Sequence, residues 1–394
     1  MTHPPNTPAA ARPLRILAAL ALASAVAAGA ARAQQPGSAC GVATSSSPPD
    51  TAGIGAVREY LREAQSRQLV PGVQVAVSRG GRLAWSEGLG LADLELRVAV
   101  TAETRFRIGS VAKPLTATAL GVLVQTGRLD LDAPIRRYVP AFPDHGRPIT
   151  LRQLAGHLSG VRHYTDAEDI STRRFASVTE ALTVFAGDSL LHPPGARFSY
   201  SSYGYVLLSA AIERAAGEPF EAAMRRLVFG PARMAHTSFD HADSIVPGRA
   251  HLYHRAWDGT GWTGPVTNAP FVEQSNRWAA GGMLSTAEDL VRFGDALVQR
   301  RLLDDAGLRA LWTSQRTAAD SATGYGLGFF VAPDGEGRAR VFHGGNATGA
   351  TAKFLVYPDQ CVVVAVLWNG DFGDFAAGRI AEPFLRPRNA ARTR

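Results

Sequence analysis

Val73, Val75 and Val77 alternate with Gln74, Ala76 and Ser78, the period of two that marks a strand. Gly80-Gly81 follows as a turn, and Leu83 to Trp85 begins a return strand, so the segment predicts a hairpin. Upstream, Val57, Tyr60, Leu61 and Ala64 form one stripe at helical spacing within Ile54 to Gln68. Downstream, Phe106 and Ile108 lead into Leu115 to Gln125, which predicts a buried helix ending at Gly127. From Leu129 to about Gln315 the chain carries mainly helical patterns joined by Pro- and Gly-rich loops. The strongest run from Tyr203 to Ala216, stopped by Gly217, and from Thr286 onward. There Ser285 or Thr286 can cap, and Glu288 and Asp289 suit the positive end of the helix. After Tyr325 apolar or alternating runs return at Leu327 to Val331, Arg338 to Phe342, Ala352 to Tyr357 and Val362 to Trp368. Phe372 to Phe384 predicts a closing helix.

Strands at both ends with helices between predict one antiparallel sheet flanked by helices, beside an inserted helical part, in a mixed α/β (α+β) chain. The sheet part covers about 52–108 and 320–385, and the helical part about 109–319. The boundary between the two is the expected place for a site.

The first 33 residues change the picture of where the chain works. Arg12 and Arg15 precede an apolar run from Ile16 to Ala30, and Ala31-Arg32-Ala33 has the small-x-small form of a cleavage site. A signal peptide over 1–33 is expected, with a mature start near Gln34 and a periplasmic or secreted product. The run is short for a membrane span, and no later stretch could cross a bilayer. Cleavage removes three arginines and no acids, taking the formal charge from +7 to +4. Residues 34–51, rich in Ser, Pro, Gly and Thr, read as a flexible tail, and 386–394 as a basic tail. The arginines are scattered and not interleaved with aromatics, so no nucleic-acid partner is expected. Export permits Cys40 and Cys361 to pair across the chain, or they remain two thiols; spacing does not decide.

The 41 basic residues include only two lysines, Lys113 and Lys353. Lys113 stands three residues after Ser110 in "RIGSVAKPLT". On the first turn of a helix that spacing brings a hydroxyl and an amine together. A serine needs a base to become a nucleophile. Lysine serves when burial or nearby positive charge depresses its pKa, whereas arginine does not deprotonate in proteins. A second element, Tyr200-Ser201-Ser202, precedes the strong helix. Tyr200 is a candidate general base, where nearby cations stabilise its phenolate, or proton shuttle, with Tyr203 and Tyr205 read as packing. A third, "VFHGGNATGA", ends a strand at His343-Gly344-Gly345, where glycines let backbone approach closely. The N–H groups of Asn346 and Ser110 could form an oxyanion hole, and His343 could bond the tyrosine or a substrate carboxylate.

These elements, in this order, resemble the S-x-x-K, Y-x-N and K-T-G or H-x-G boxes of the serine β-lactamase and penicillin-binding-protein superfamily. The variant is most like its class C-like and low-molecular-weight esterase or DD-peptidase branch. "HLSGVRHY", "YSSYGYVLLSA" and "NRWAAGGMLST" further resemble the mitochondrial serine β-lactamase-like group and its bacterial relatives. The resemblance runs from about Val73 to Trp368. It implies a transpeptidase-like three-layer sandwich with a helical subdomain and no metal or organic cofactor. It also implies Ser110 as acylated nucleophile, Lys113 as its activating partner and Tyr200 as general base. His343 then stands at the third-box lysine position, with Gly345 and the oxyanion donor Asn346 after it. Two departures stand out: Ser202 replaces an asparagine, and His343-Gly344 replaces lysine and threonine. Both weaken recognition of a β-lactam and leave acyl-enzyme chemistry intact.

His157 and His163 flank "LSG" and read as structural. His251 and His254 lie in a Trp-Asp-Gly-Thr-Gly hairpin region, and with His241 they lack a carboxylate or cysteine cluster to complete a metal set. Lys353 reads as a solvated strand lysine. The leading expectation is an exported serine hydrolase of small-molecule or peptide amides or esters. The alternatives are a β-lactamase or DD-carboxypeptidase on D-alanyl groups, and an inactive module that binds peptidoglycan or a partner. Oligomeric state is not legible.

Overall fold

The computed structural model describes residues 51–385. The candidate leader, nearly all of the 34–51 tail, Cys40 and the 386–394 tail lie outside the described residues. Cys361 is disulfide-bonded. The first described residue, Thr51, already belongs to a helix and not to a tail.

Helix α1 (Thr51–Gln68) leads into β1 (Gly72–Arg79), β2 (Arg82–Asp93) and the short β3 (Val98–Ala99). Strand β4 (Phe106–Arg107) runs into α2 (Ala112–Gln125), and α3 (Ser202–Ala216) is the long helix of the middle block. That block also holds β5 (Ser238–Phe239), β6 (Tyr253–Trp257), β7 (Trp262–Asn268) and β8 (Met283–Ser285), then α4 (Ala287–Val298) and α5 (Asp305–Trp312). The chain ends with β9 (Phe330–Val331), β10 (Val341–Ala347), β11 (Ala350–Tyr357), β12 (Val362–Trp368) and α6 (Ala377–Ala381). The main sheet has seven strands in the order β3-β2-β1-β12-β11-β10-β9, with every pairing antiparallel. The first and last strands of the sequence thus meet at β1 and β12, as the pattern of terminal strands implies.

Hydrophobic alternation distributes β12 between two cores. Val363, Ala365 and Leu367 face the helical side, while Val362, Val364, Val366 and Trp368 face the terminal helices. Covered on both faces, β12 reads in sequence as an unbroken apolar run. The polar residues of β1 are buried too. Gln74 donates to Thr101 O at 2.6 Å and accepts from Ala287 N at 2.5 Å, so α4 lies over them and satisfies them.

The middle block differs from its expected helical reading. It supplies β5 and β8 to the three-stranded sheet β4-β8-β5; the hairpin β6–β7 lies where Trp257 to Gly261 predicts one. In that hairpin, Asp258 Oδ1 accepts from Thr260 N and Gly261 N, which closes the turn. The closing helix is also shorter than Phe372 to Phe384. Gly373 takes φ +77°, and Phe372 and Phe375 fill the core from irregular chain before α6 begins. Lys353 is ion-paired with Asp374 and is not simply solvated. His241, His251 and His254 turn to Glu221, Asn268 and Asp371 respectively.

Asp295 on α4 is buried against the sheet and accepts from Ser78 Oγ at 2.6 Å. Burial pushes its carboxyl up to about 6, partly offset by the Ser78 bond and Arg301. The folded value lies above the unfolded one, so folding favours the protonated form. Stability therefore rises as pH falls from above 6 towards 4. Asp295→Asn keeps a polar partner for Ser78 and removes the buried charge. It is expected to raise the melting temperature at pH 8 by a few degrees, from a gain of up to about 3 kcal/mol, and to leave it nearly unchanged at pH 4.5. Paired thermal scans at the two pH values check this.

Candidate active site

Strand β4 delivers the chain to a single tight turn, Gly109–Val111, which opens directly into α2. Ser110 sits half-buried on that turn and Lys113 one turn on, with no exposed surface. Lys113 Nζ lies 3.0 Å from Ser110 Oγ, 3.0 Å from Ser202 Oγ and 2.8 Å from Ala280 O. No carboxylate is among its partners. Burial holds the amine well below the ordinary lysine value. One turn further, Thr116 Oγ1 donates to Ala279 O at 2.8 Å, so α2 grips the 279–280 segment at two points.

Helix α3 supplies the second element. Ser201 caps it, accepting from Gly204 N at 2.9 Å and donating to Arg162 O at 2.8 Å. This places Ser202 in the first turn, where its shorter side chain still reaches Lys113. Tyr200, just before the cap, hydrogen-bonds Ser110 and presents its ring 4.8 Å from Lys113 Nζ. Burial raises its phenol above the ordinary tyrosine range, and the Ser110 bond opposes that only in part.

Strand β10 supplies the third element and corrects its expected shape. His343-Gly344-Gly345 does not end the strand; β10 continues through Ala347, and the turn comes at Thr348-Gly349. Strand β9 pairs only with Val341 and Phe342, so His343 to Ala347 form a free margin of the sheet beside Ser110. A Cβ on Gly345 would stand 1.9 Å from Ile108 O and 3.1 Å from Ser110 N; one on Gly109, at φ +48°, would stand 2.7 Å from Asn346 N. The two glycines let the nucleophile turn and the strand touch backbone to backbone, which sets Ser110 and Asn346 beside each other. Gly344 differs: it is exposed, and a Cβ there meets nothing within 4 Å. Gly281 lies against the Gly109 backbone and Gly282 against Gln274 O, so both are close-approach positions of the site wall.

His343 is almost fully buried. Its Nδ1 is 2.6 Å from Gly344 O and its Nε2 3.1 Å from the hydroxyl of Tyr325. A carbonyl only accepts, so Nδ1 carries the proton, and Nε2 accepts from Tyr325. The tyrosine it meets is therefore Tyr325 and not Tyr200. Burial and Lys113 lower His343 to about 3.

Two histidines read as structural border the site. Ser201 N donates to His157 Nδ1 at 3.1 Å, and Ser202 N to His163 Nδ1 at 3.0 Å. Each satisfies a free N–H at the start of α3 and so holds the Tyr200–Ser202 element in place. Burial lowers His163 to about 3 and His157 well below its usual value. Tyr325, the Ala280 carbonyl and these positioning contacts are not visible in the sequence, because each joins residues at least 18 positions apart with no fixed spacing, and several of the partners are backbone. A separate cleft of about 1040 Å3 lies among Phe175, Glu213, Phe220, Glu273 and Trp278; none of Ser110, Lys113, Tyr200 or His343 lines it. Chemistry and not volume locates the candidate site.

The chain is similar to known proteins over most of its described length. The Beta-lactamase family profile matches residues 57–383. The human mitochondrial serine beta-lactamase-like protein LACTB is 32% identical over 310 residues, covering 61% of this chain. That match spans only 56% of the human protein's length. A putative penicillin-binding protein, PbpX, of Bacillus subtilis is 27% identical, over 70% of this chain and 66% of its own. Among solved structures, D-amino acid amidase from Ochrobactrum anthropi SV3, complexed with L-phenylalanine amide, superposes with a TM-score of 0.72 at 26% identity. It covers 84% of this chain and 96% of the amidase.

Proposed function

This chain belongs to the beta-lactamase family, and on that premise we propose that it is a serine hydrolase that opens an amide or ester through an acyl-enzyme on Ser110. The observation that carries the reading is a fully buried Lys113 amine, without a carboxylate partner, 3.0 Å from Ser110 Oγ. Ala280 O accepts one amine hydrogen and Ser202 Oγ the other, which leaves the lone pair of an uncharged amine for the Ser110 hydroxyl. Lys113 takes that proton as Oγ bonds to the carbonyl carbon, and the carbonyl electron pair moves onto oxygen. The N–H groups of Ser110 and Asn346 receive the oxyanion. Collapse breaks the bond to the leaving alcohol or amine, which departs with a proton. Tyr200 keeps its own proton at neutral pH, so it acts as the donor that relays this proton, not as the base the resemblance casts it as. Water, deprotonated by Lys113, then opens the acyl-serine and restores both groups.

The amidase likeness supports this reading, as does the unbroken Ser110–Lys113–Tyr200 set, which gives no support to an inactive binding module. We further place the mature chain outside the cytoplasm, in the periplasm or medium. The leader pattern over 1–33 and the disulfide at Cys361 support that.

The test is intact mass after a fluorophosphonate probe, with the adduct mapped by digestion. One adduct per chain, on the segment holding Ser110, is expected. No adduct anywhere between pH 6 and 10 would sink the acyl-enzyme reading.

A further inference from the structure

We propose that the site accepts substrates that are uncharged around the scissile bond, and excludes those with a carboxylate within a few bonds of it. This rests on the acyl-enzyme reading above and adds the substrate class. Strong recognition of a nearby carboxylate uses a cation, and the permanent cations around Ser110 are already paired.

His343 is the group on the β10 margin most suited to meet an anion, and it is locked the wrong way. Its single ring proton goes to Gly344 O, and its other nitrogen is occupied as an acceptor by Tyr325. To donate to a carboxylate the ring would have to break both bonds, or gain a second proton while buried near Lys113. The other two imidazoles accept from Ser201 N and Ser202 N at Nδ1, so each keeps its one proton on Nε2 and carries no charge; the His157 ring is closed in by Tyr200 and Tyr325, with ring centres 4.2 and 4.6 Å away.

The permanent cations nearby are neutralised. Lys353 is opposite Gly344 in the β10–β11 register, so it shares that residue's face and not that of His343; it is paired with Asp374. Arg162 is held by Glu168 and Asp188, Arg277 by Asp169, and Arg107 by Asp240. Around His343 the wall is aromatic: Tyr325 and Phe330 lie with ring centres 5.9 and 5.3 Å from the imidazole, and Tyr200 at 6.3 Å. Such a wall favours a neutral, apolar group over a hydrated anion. The class this selects is esters, primary amides and bonds inside a peptide; terminal D-alanyl acids and penicillin acids fall outside it.

The test uses the mature protein and two thioesters that share one hydrophobic acyl group. One releases mercaptoacetate, the other mercaptoacetamide. Acylation of Ser110 is followed by intact mass and thiol release. The carboxamide thioester is expected to acylate at least about thirtyfold faster. Tyr325→Phe removes the donor to His343 Nε2 and keeps the ring. That nitrogen must still take up a proton before it can hold a carboxylate, so the ratio is expected to narrow severalfold only as pH falls towards 5, whereas a merely structural disturbance slows both thioesters alike and leaves the ratio in place. Equal rates, or a faster carboxylate, overturn the proposal. So does acylation by neither thioester while a fluorophosphonate still labels Ser110. Absence of the fluorophosphonate label as well overturns the acyl-enzyme reading itself, which separates the two failures.

Discussion

Replacing Lys113 with arginine or methionine is expected to slow acylation of Ser110 by about a thousandfold or more, within the range a general base contributes. Arginine keeps a cation but cannot release its proton, and methionine keeps the length without a base. In the wild type the acylation rate should climb with pH as Lys113 loses its proton, and level off at a pH below the ordinary lysine value of 10.5. Neither variant should show that limb. Stability separates this loss from misfolding. The amine's folded pKa lies below its unfolded one, so the unfolded chain holds more protons and stability rises with pH. Lys113→Met removes that cost, so its melting temperature should equal or exceed the wild type's at pH 7. The gap should shrink towards pH 10. A methionine variant that is both stable and fully active would exclude Lys113 as the base. Rapid-quench acylation rates over pH 6–10, with melting curves on the same samples, decide it.

The site was legible to the extent that its chemistry is local. Ser110 and Lys113 are three residues apart, and a chain with 41 basic residues and two lysines marks Lys113 as unusual before any contact is known. Tyr200 and Ser202 were findable because a loop before a strong helix is a recognisable place for a polar group. His343 was findable as a residue but not in its role. Its donor is spent on its neighbour's carbonyl and its acceptor on Tyr325, 18 positions away. No spacing rule predicts that pair. The same limit applied to His157 and His163, whose partners are backbone N–H groups 44 and 39 residues on.

The fold follows the same division. Val362–Trp368 is apolar throughout and is the strand covered on both faces. The β1–β2 hairpin has its turn at Gly80-Gly81, as its alternation implies. The misread part at the closing helix lies where tertiary burial outweighed periodicity. Phe372 and Phe375 are buried without a helix to carry them, whereas the β6–β7 turn, which Asp258 closes with its own side chain, is legible in Trp-Asp-Gly-Thr-Gly.

Two adjacent glycines provide the sharpest test of how the backbone builds the site. Gly345→Ala is expected to lower kcat/KM by about a hundredfold to a thousandfold, the size of losing one oxyanion donor. It should also destabilise the fold by about 1–3 kcal/mol. The new Cβ would stand 1.9 Å from Ile108 O, which is backbone and cannot swing aside. Either β10 or the Ser110 turn must shift, and a shift of either separates the N–H groups of Ser110 and Asn346. Gly344→Ala, one residue earlier, meets nothing within 4 Å and has no positive φ to strain. It should stay within about 0.5 kcal/mol of wild type, the usual range for such surface changes, and within about twofold in kcat/KM. Steady-state kinetics and denaturant melts of the two variants side by side give the result. Equal losses at both positions would mean that the strand tolerates no side chain of any kind. A large loss at 345 alone identifies the contact between strand and nucleophile turn as what holds the two N–H groups in place.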